Sequence, residues 1–207
     1  VQNDWEQTPK VRLSVLNPGH EDTVNRPEST YPLQREKQQT LYLTNQDGKL
    51  EFSKTPQKHP SQVVYDSDDE DGVTFNITMP VASEYVGEFS LKLFVEADGA
   101  DDMDLFAFVR KFDAQGNLLQ PKVVTDRYYP GPNGRLRVSQ RELDLQESTP
   151  QHLELAQTGE QKLFKGEIVS VEIPFWPFGM KWEAGETLAL TICPKDKIVR
   201  PEFPELP

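Results

Sequence analysis

The chain has 207 residues, 36% of them hydrophobic and 27% charged, and its 22 basic against 34 acidic side chains leave a net charge of −12 at neutral pH. At this length roughly 70% of the unfolded chain's surface can be buried, so a core needs no disulfide or metal staple. The acidic balance keeps the surface soluble, repels phosphate backbones and excludes general nucleic-acid binding. No apolar run approaches the roughly 20 residues of a membrane helix, and Val1-Gln2-Asn3-Asp4-Trp5 lacks the charged-then-apolar order of a signal peptide.

Taken in chain order, the ruling pattern is period-two alternation, which buries one face of a strand and leaves the other polar. Val11, Leu13 and Val15 alternate with Arg12 and Ser14. Residues 20–37, with Arg26-Pro27 and Tyr31-Pro32, read as a long surface loop. Short strands are expected at 40–44, 50–52 and 63–65, and a longer one where Val73, Phe75, Ile77 and Met79 alternate with polar residues. Phe89, Leu91, Leu93 and Val95 form the next, followed by 105–112, apolar on both faces until Arg110-Lys111 as a doubly covered central strand would be. Leu136 and Val138 come next. Residues 139–145 fit a short helix or a strand end, and 146–160 read as loop. The last strands carry Val169, Val171 and Ile173, then Leu188, Leu190 and Ile192.

Turn residues fall between these runs: Asn17-Pro18-Gly19, Asn45-Gln46-Asp47-Gly48, 113–117 and Gly131-Pro132-Asn133-Gly134. With 17 prolines and 12 glycines, long amphipathic helices are excluded. Many short strands without helical crossovers specify an all-β fold, an antiparallel two-sheet β-sandwich. With neither a linker nor a repeat, residues 1–207 are expected to form one domain.

No chemistry-bearing constellation is legible. There is no G-x-S-x-G elbow, and His20, His59 and His152 lie in expected loops, where they read as surface histidines. The single cysteine, Cys193, excludes an intrachain disulfide and a CxxC metal site, and reads as a small buried hydrophobe. The lack of disulfides fits a cytoplasmic setting. No catalytic residue, cofactor or resident metal is therefore expected. The acidic runs 66–71 and 98–104 read as solvated loops. Asp98, Asp101, Asp102 and Asp104 are weak calcium candidates, because closely spaced carboxylates can wrap a hard cation, though they miss the EF-hand spacing. Aromatics cluster at Trp176, Phe178 and Trp182, with Tyr128-Tyr129 and Trp5 elsewhere. At alternating strand positions such residues serve a core or a domain interface more often than a sugar platform.

Several segments resemble one family. The strand, acidic turn and strand of 89–113, followed by Gly116, is similar to a hallmark of the C-terminal domain of X-Pro dipeptidyl-peptidases and cocaine esterase. So is Gly134-Arg135-Leu136-Arg137-Val138-Ser139-Gln140-Arg141, where Gln140 stands in place of the family's common histidine. Lys165-Gly166-Glu167, Glu183-Ala184-Gly185-Glu186 and the opening Thr8-Pro9-Lys10-Val11-Arg12-Leu13-Ser14 extend the likeness along the chain. The resemblance implies a jelly roll of galactose-binding type that follows an α/β-hydrolase domain carrying a Ser-His-Asp triad.

It also implies an accessory role in an ester- or amide-cleaving serine hydrolase. The domain would stabilise the catalytic domain, help wall its active site and be inert alone. The triad would lie outside the matched region. Trp5, Trp176, Phe178 and Trp182 are the expected interface, facing that domain, and homo-oligomers are compatible with the reading. The alternative is a free-standing carbohydrate- or ligand-binding sandwich using Trp176, Trp182 or Tyr129 on an exposed face.

Overall fold

The computed structural model describes residues 4–121 and 129–197. Eleven strands are described: β1 (Val11–Val15), β2 (Thr23–Glu28), β3 (Tyr42–Gln46), β4 (Lys49–Ser53), β5 (Val73–Thr78), β6 (Ser83–Val95), β7 (Asp104–Phe112), β8 (Leu118–Leu119), β9 (Asn133–Arg137), β10 (Val169–Trp182) and β11 (Thr187–Cys193). Two short 3-10 turns, Asp4–Gln7 and Val138–Gln140, are the only helical elements among the described residues.

β1 and β2 form a two-stranded ribbon, and the other strands hydrogen-bond in the order β3-β4-β5-β11-β7-β9-β10-β6, with β8 beside β7. The pairings are antiparallel except for β4 beside β5, which runs parallel at Glu51 and Asn76 and departs from the purely antiparallel expectation. β9 is the corner. It pairs with β7 over five positions but meets β10 only where Gly134 faces Phe175. A Cβ on Gly134 would stand 2.6 Å from the Pro174 carbonyl oxygen and 2.9 Å from Ile173 Cγ2, so a side chain is barred where the sheet bends.

The sheets curl into an all-β, sandwich-like arrangement around one core. Leu105, Ala107 and Val109 of β7, Leu188, Leu190 and Ile192 of β11, and Val171, Ile173, Met180 and Trp182 of β10 share it. Residues 188–193 of β11 are buried on both faces, and β5 and β7 satisfy both of its edges as the central strand. The β3–β4 turn is tight because Asp47 and Gly48 both take positive φ, 52° and 81°, as a two-residue hairpin loop requires.

Four local segments differ from the expectation. Residues 20–37 are not all loop: β2 lies within them, paired with β1, and Pro27 is tolerated because a two-stranded ribbon leaves one edge without ladder bonds. Residues 63–65 form no strand, and of 139–145 only Ser139 and Gln140 turn helically, within Val138–Gln140. β10 does not stop at Ile173 but continues to Trp182 through a register shift between Phe175 and Phe178. That bulge changes the phase of the strand, from odd residues inward before it to Met180 and Trp182 inward after it.

Candidate functional site

The aromatic set expected at an interface is divided by that phase change. Trp176, at the bulge, is 76% exposed, and Trp5, in the first 3-10 turn, is 69% exposed with the Arg12 guanidinium 5.9 Å from its ring centre. Phe178 is half-buried and stacks on Phe89 at 4.1 Å. Trp182 is 0% exposed and meets Tyr85 edge-on at 5.6 Å. Trp182 therefore belongs to the core, which corrects its place in an exposed patch. Tyr129 is half-buried, and Tyr128 lies outside the described residues. A sugar platform built from Trp176 and Trp182 together is thus ruled out by geometry.

The acidic turn does not gather into a cage. Asp102 Oδ1 accepts the Met103 and Ser139 amides at 3.0 and 2.9 Å, and its Oδ2 accepts Lys162 Nζ at 3.2 Å. Burial alone would raise the Asp102 pKa, but these hydrogen bonds outweigh it and hold the carboxyl below its ordinary value. Asp104 forms a two-pronged pair with Arg137 at 2.8 and 2.9 Å, Asp101 lies 3.9 Å from Lys162, and Asp98 is exposed. Among the described residues no three His, Cys, Asp or Glu side chains are placed to hold a metal. In 66–71, Asp66 and Asp69 instead accept the amides two residues on, at 2.9 and 2.8 Å.

Two of the three histidines, His20 and His152, face carboxylates. His20 Nε2 lies 2.9 Å from Glu186, and His152 sits between Glu88 at 2.6 Å and Glu154 at 2.9 Å. His59 lines an open cleft of about 340 Å³ with Thr44, Gln46, Ser53 and Lys58. In the hydrogen bonds of the described residues, neither the His20 nor the His152 imidazole reaches a serine, threonine or cysteine side chain. Ser139 and Cys193 are 0% exposed, and burial pushes the Cys193 thiol above its usual pKa, away from the nucleophilic thiolate.

One charged constellation escaped the sequence reading. Lys111, 0% exposed on β7, lies 2.8 Å from Glu186 and donates to Asn17 Oδ1 at 2.8 Å. Glu186 also accepts the Glu183 amide at 2.6 Å and contacts His20. Burial would raise the Glu186 pKa; hydrogen bonds from Lys111, the Glu183 amide and His20 hold it down instead. The cluster ties the β1–β2 connection and the β10–β11 turn to β7. The legible signal was a lysine near the end of a largely apolar strand, a position that, when buried, is tolerated beside a buried acid.

The chain belongs to the X-Pro dipeptidyl-peptidase C-terminal non-catalytic domain family, whose model matches residues 3–205. A CocE/NonD family hydrolase from Staphylococcus aureus is similar in structure, with a TM-score of 0.85 and 33% identity over 97% of this chain. This chain spans 36% of that hydrolase's length. An aminopeptidase from a marine sediment Thaumarchaeota archaeon shares the fold, at a TM-score of 0.54 and 12% identity, over 81% of this chain and 31% of that one. No curated protein matches. No described helix is long and apolar enough to cross a membrane.

Proposed function

We propose that residues 1–207 form one domain, a galactose-binding-like jelly roll, that serves a serine hydrolase as its accessory C-terminal wall. It stabilises the catalytic domain and borders the active-site cleft without supplying a reacting group. The parent cleaves esters or amides, X-Pro peptides included. The carrying observation is Trp176, held 76% exposed on a rigid bulged strand in a family of non-catalytic domains. β1 meets β10 through the Leu16 amide on the Gly179 carbonyl at 2.9 Å, which runs Arg12 and the Trp5 ring back toward the Trp176 end of β10. Two exposed indoles near one end of a sandwich suit a domain contact of the usual size, about 600–1,500 Å². The lone thiol, buried at Cys193, supports a cytoplasmic setting.

The test is binding in trans. The catalytic portion of the parent, mixed with this chain, is expected to give a complex that Trp176→Ala weakens and Val64→Ala, at another exposed apolar residue, leaves unchanged. Equal weakening by both variants, or no complex, counts against the reading.

A further inference from the structure

The β3–β4 hairpin builds the cleft that His59 lines. Pairing Tyr42 with Ser53, Thr44 with Glu51 and Gln46 with Lys49 puts these side chains on one face, opposite Leu43, Leu50 and Phe52, which pack on the core. Residues 55–59 line the cleft together with Thr44, Gln46 and Ser53, which leaves Thr44 5% exposed and encloses about 340 Å³. This returning segment is pinned. Gln57 Oε1 accepts the Asn45 amide at 3.2 Å and its Nε2 donates to the Asn45 carbonyl at 3.0 Å, as a neighbouring strand would. Ser61 donates to Gln57 Oε1 at 3.1 Å. A cleft held this way loses little conformational freedom when a ligand enters, and its volume suits a small molecule.

The groups left over in it are donors. Ser53 Oγ accepts the Thr55 amide at 3.1 Å and lies 3.3 Å from Thr55 Oγ1, so one hydroxyl hydrogen of the two stays unused. Thr44 gives its own to the Glu51 carbonyl and serves as floor. Gln46, Lys58 and His59 have no hydrogen-bond or ion-pair partner among the described residues, and no lining residue is acidic. The cleft of about 290 Å³ beside the acidic turn differs, because its Arg137 and Lys162 are already matched by Asp104 and Asp102. Lys49 and Lys54 add two further cations to the hairpin against the exposed Asp47 and Glu51, neither of which lines the cleft. Screening over about 8 Å at physiological salt makes this local balance, not the chain's −12, the charge a small ligand meets.

The geometry points to a site for the phosphate group of a small phosphorylated polar molecule. Lys58 supplies the charge, and the Ser53–Thr55 hydroxyl, Gln46 and His59 supply directed donors. A tetrahedral oxyanion presents acceptors in several directions at once, which suits donors arriving from two strands and the returning segment. A planar carboxylate leaves some of them unmet. The rest of the molecule occupies the remaining length of the cleft. The inference does not depend on the catalytic-domain reading.

Calorimetric titration of the purified chain with glucose 6-phosphate, gluconate, glucose and inorganic phosphate tests it. The phosphate ester is expected to bind with a Kd of about 1 mM, gluconate and inorganic phosphate several-fold more weakly, and glucose not at all. Lys58→Gln should weaken the ester by about tenfold or more with an unchanged melting temperature. Lys92→Gln, which removes a lysine already held by Glu172, should leave binding as it was. Amide signals of 44–46 and 53–59 are expected to move with the ester. No binding of the ester, or equal binding of glucose, gluconate or inorganic phosphate, overturns the inference. So does an equal loss from both lysine variants, or signal changes confined to other parts of the chain.

Discussion

Lys111 is the residue on which most of the polar interior depends. An ammonium fully out of water is tolerable only while Glu186 and Asn17 remain in place. Lys111→Ala leaves the Glu186 carboxylate buried without its cation, and a loss of about 3–5 kcal/mol is expected in denaturant unfolding. Lys111→Met with Glu186→Gln should recover much of that loss, because no charge is then stranded. His152 offers a second check at this scale. Glu88 first, and Glu154 with it, raise the His152 pKa above its usual 6.5. A raised folded pKa means that stabilisation is complete below the ordinary value and fades as pH rises through the folded one. An NMR titration of the imidazole should show the raised midpoint, and Glu88→Gln should move it back down.

At the scale of elements, the β1–β2 ribbon is held to β6 largely by charge. Arg26 forks onto Glu84 at 2.8 and 2.6 Å and reaches Glu28 at 2.9 Å, while Arg35 forks onto Glu28 from the following loop. Hydrogen bonds from Arg35, then Arg26, hold the Glu28 pKa down to about 2, and Arg26 lowers Glu84 as well. Depressed carboxylate pKa values stabilise above the ordinary value near 4.5 and lose that contribution as pH falls toward 2. Amide exchange in β1 and β2 is therefore expected to quicken over this window before exchange in β7 and β11 does. Uniform quickening across the sheet would count against a separately anchored ribbon.

Legibility followed the source of each element's stability. β5, β7 and β11 were readable because alternation or a continuous apolar run records burial directly. β2 was not, since Thr23-Val24-Asn25-Arg26-Pro27-Glu28 is held by ion pairs to a distant strand and carries little apolar pattern. The fate of Trp182 was hidden for a different reason: one bulge at 175–178 decides which face it takes, and Pro177 within it marks an irregularity without telling how the phase shifts. The Lys111–Glu186 pair joins positions 75 residues apart, so only the residue types were visible, not their meeting.

Across the whole molecule, β9 and Gly134 couple the β3-to-β7 part of the sheet to the antiparallel β10–β6 pair around one core. Such a sandwich presents a rigid surface, and Trp5 and Trp176 stand on it with no described catalytic pair beside them. The central claim is that this surface stabilises a neighbouring catalytic domain. The most direct measurement is heat inactivation of the parent hydrolase's catalytic portion, alone, with this chain added, and with the Trp5→Ala/Trp176→Ala form added. The account predicts that the portion alone inactivates at lower temperature, that the wild-type chain restores its resistance, and that the double variant does not. A catalytic portion equally heat-resistant without the chain, or ester turnover by the purified chain that a serine-directed inhibitor stops, would contradict it.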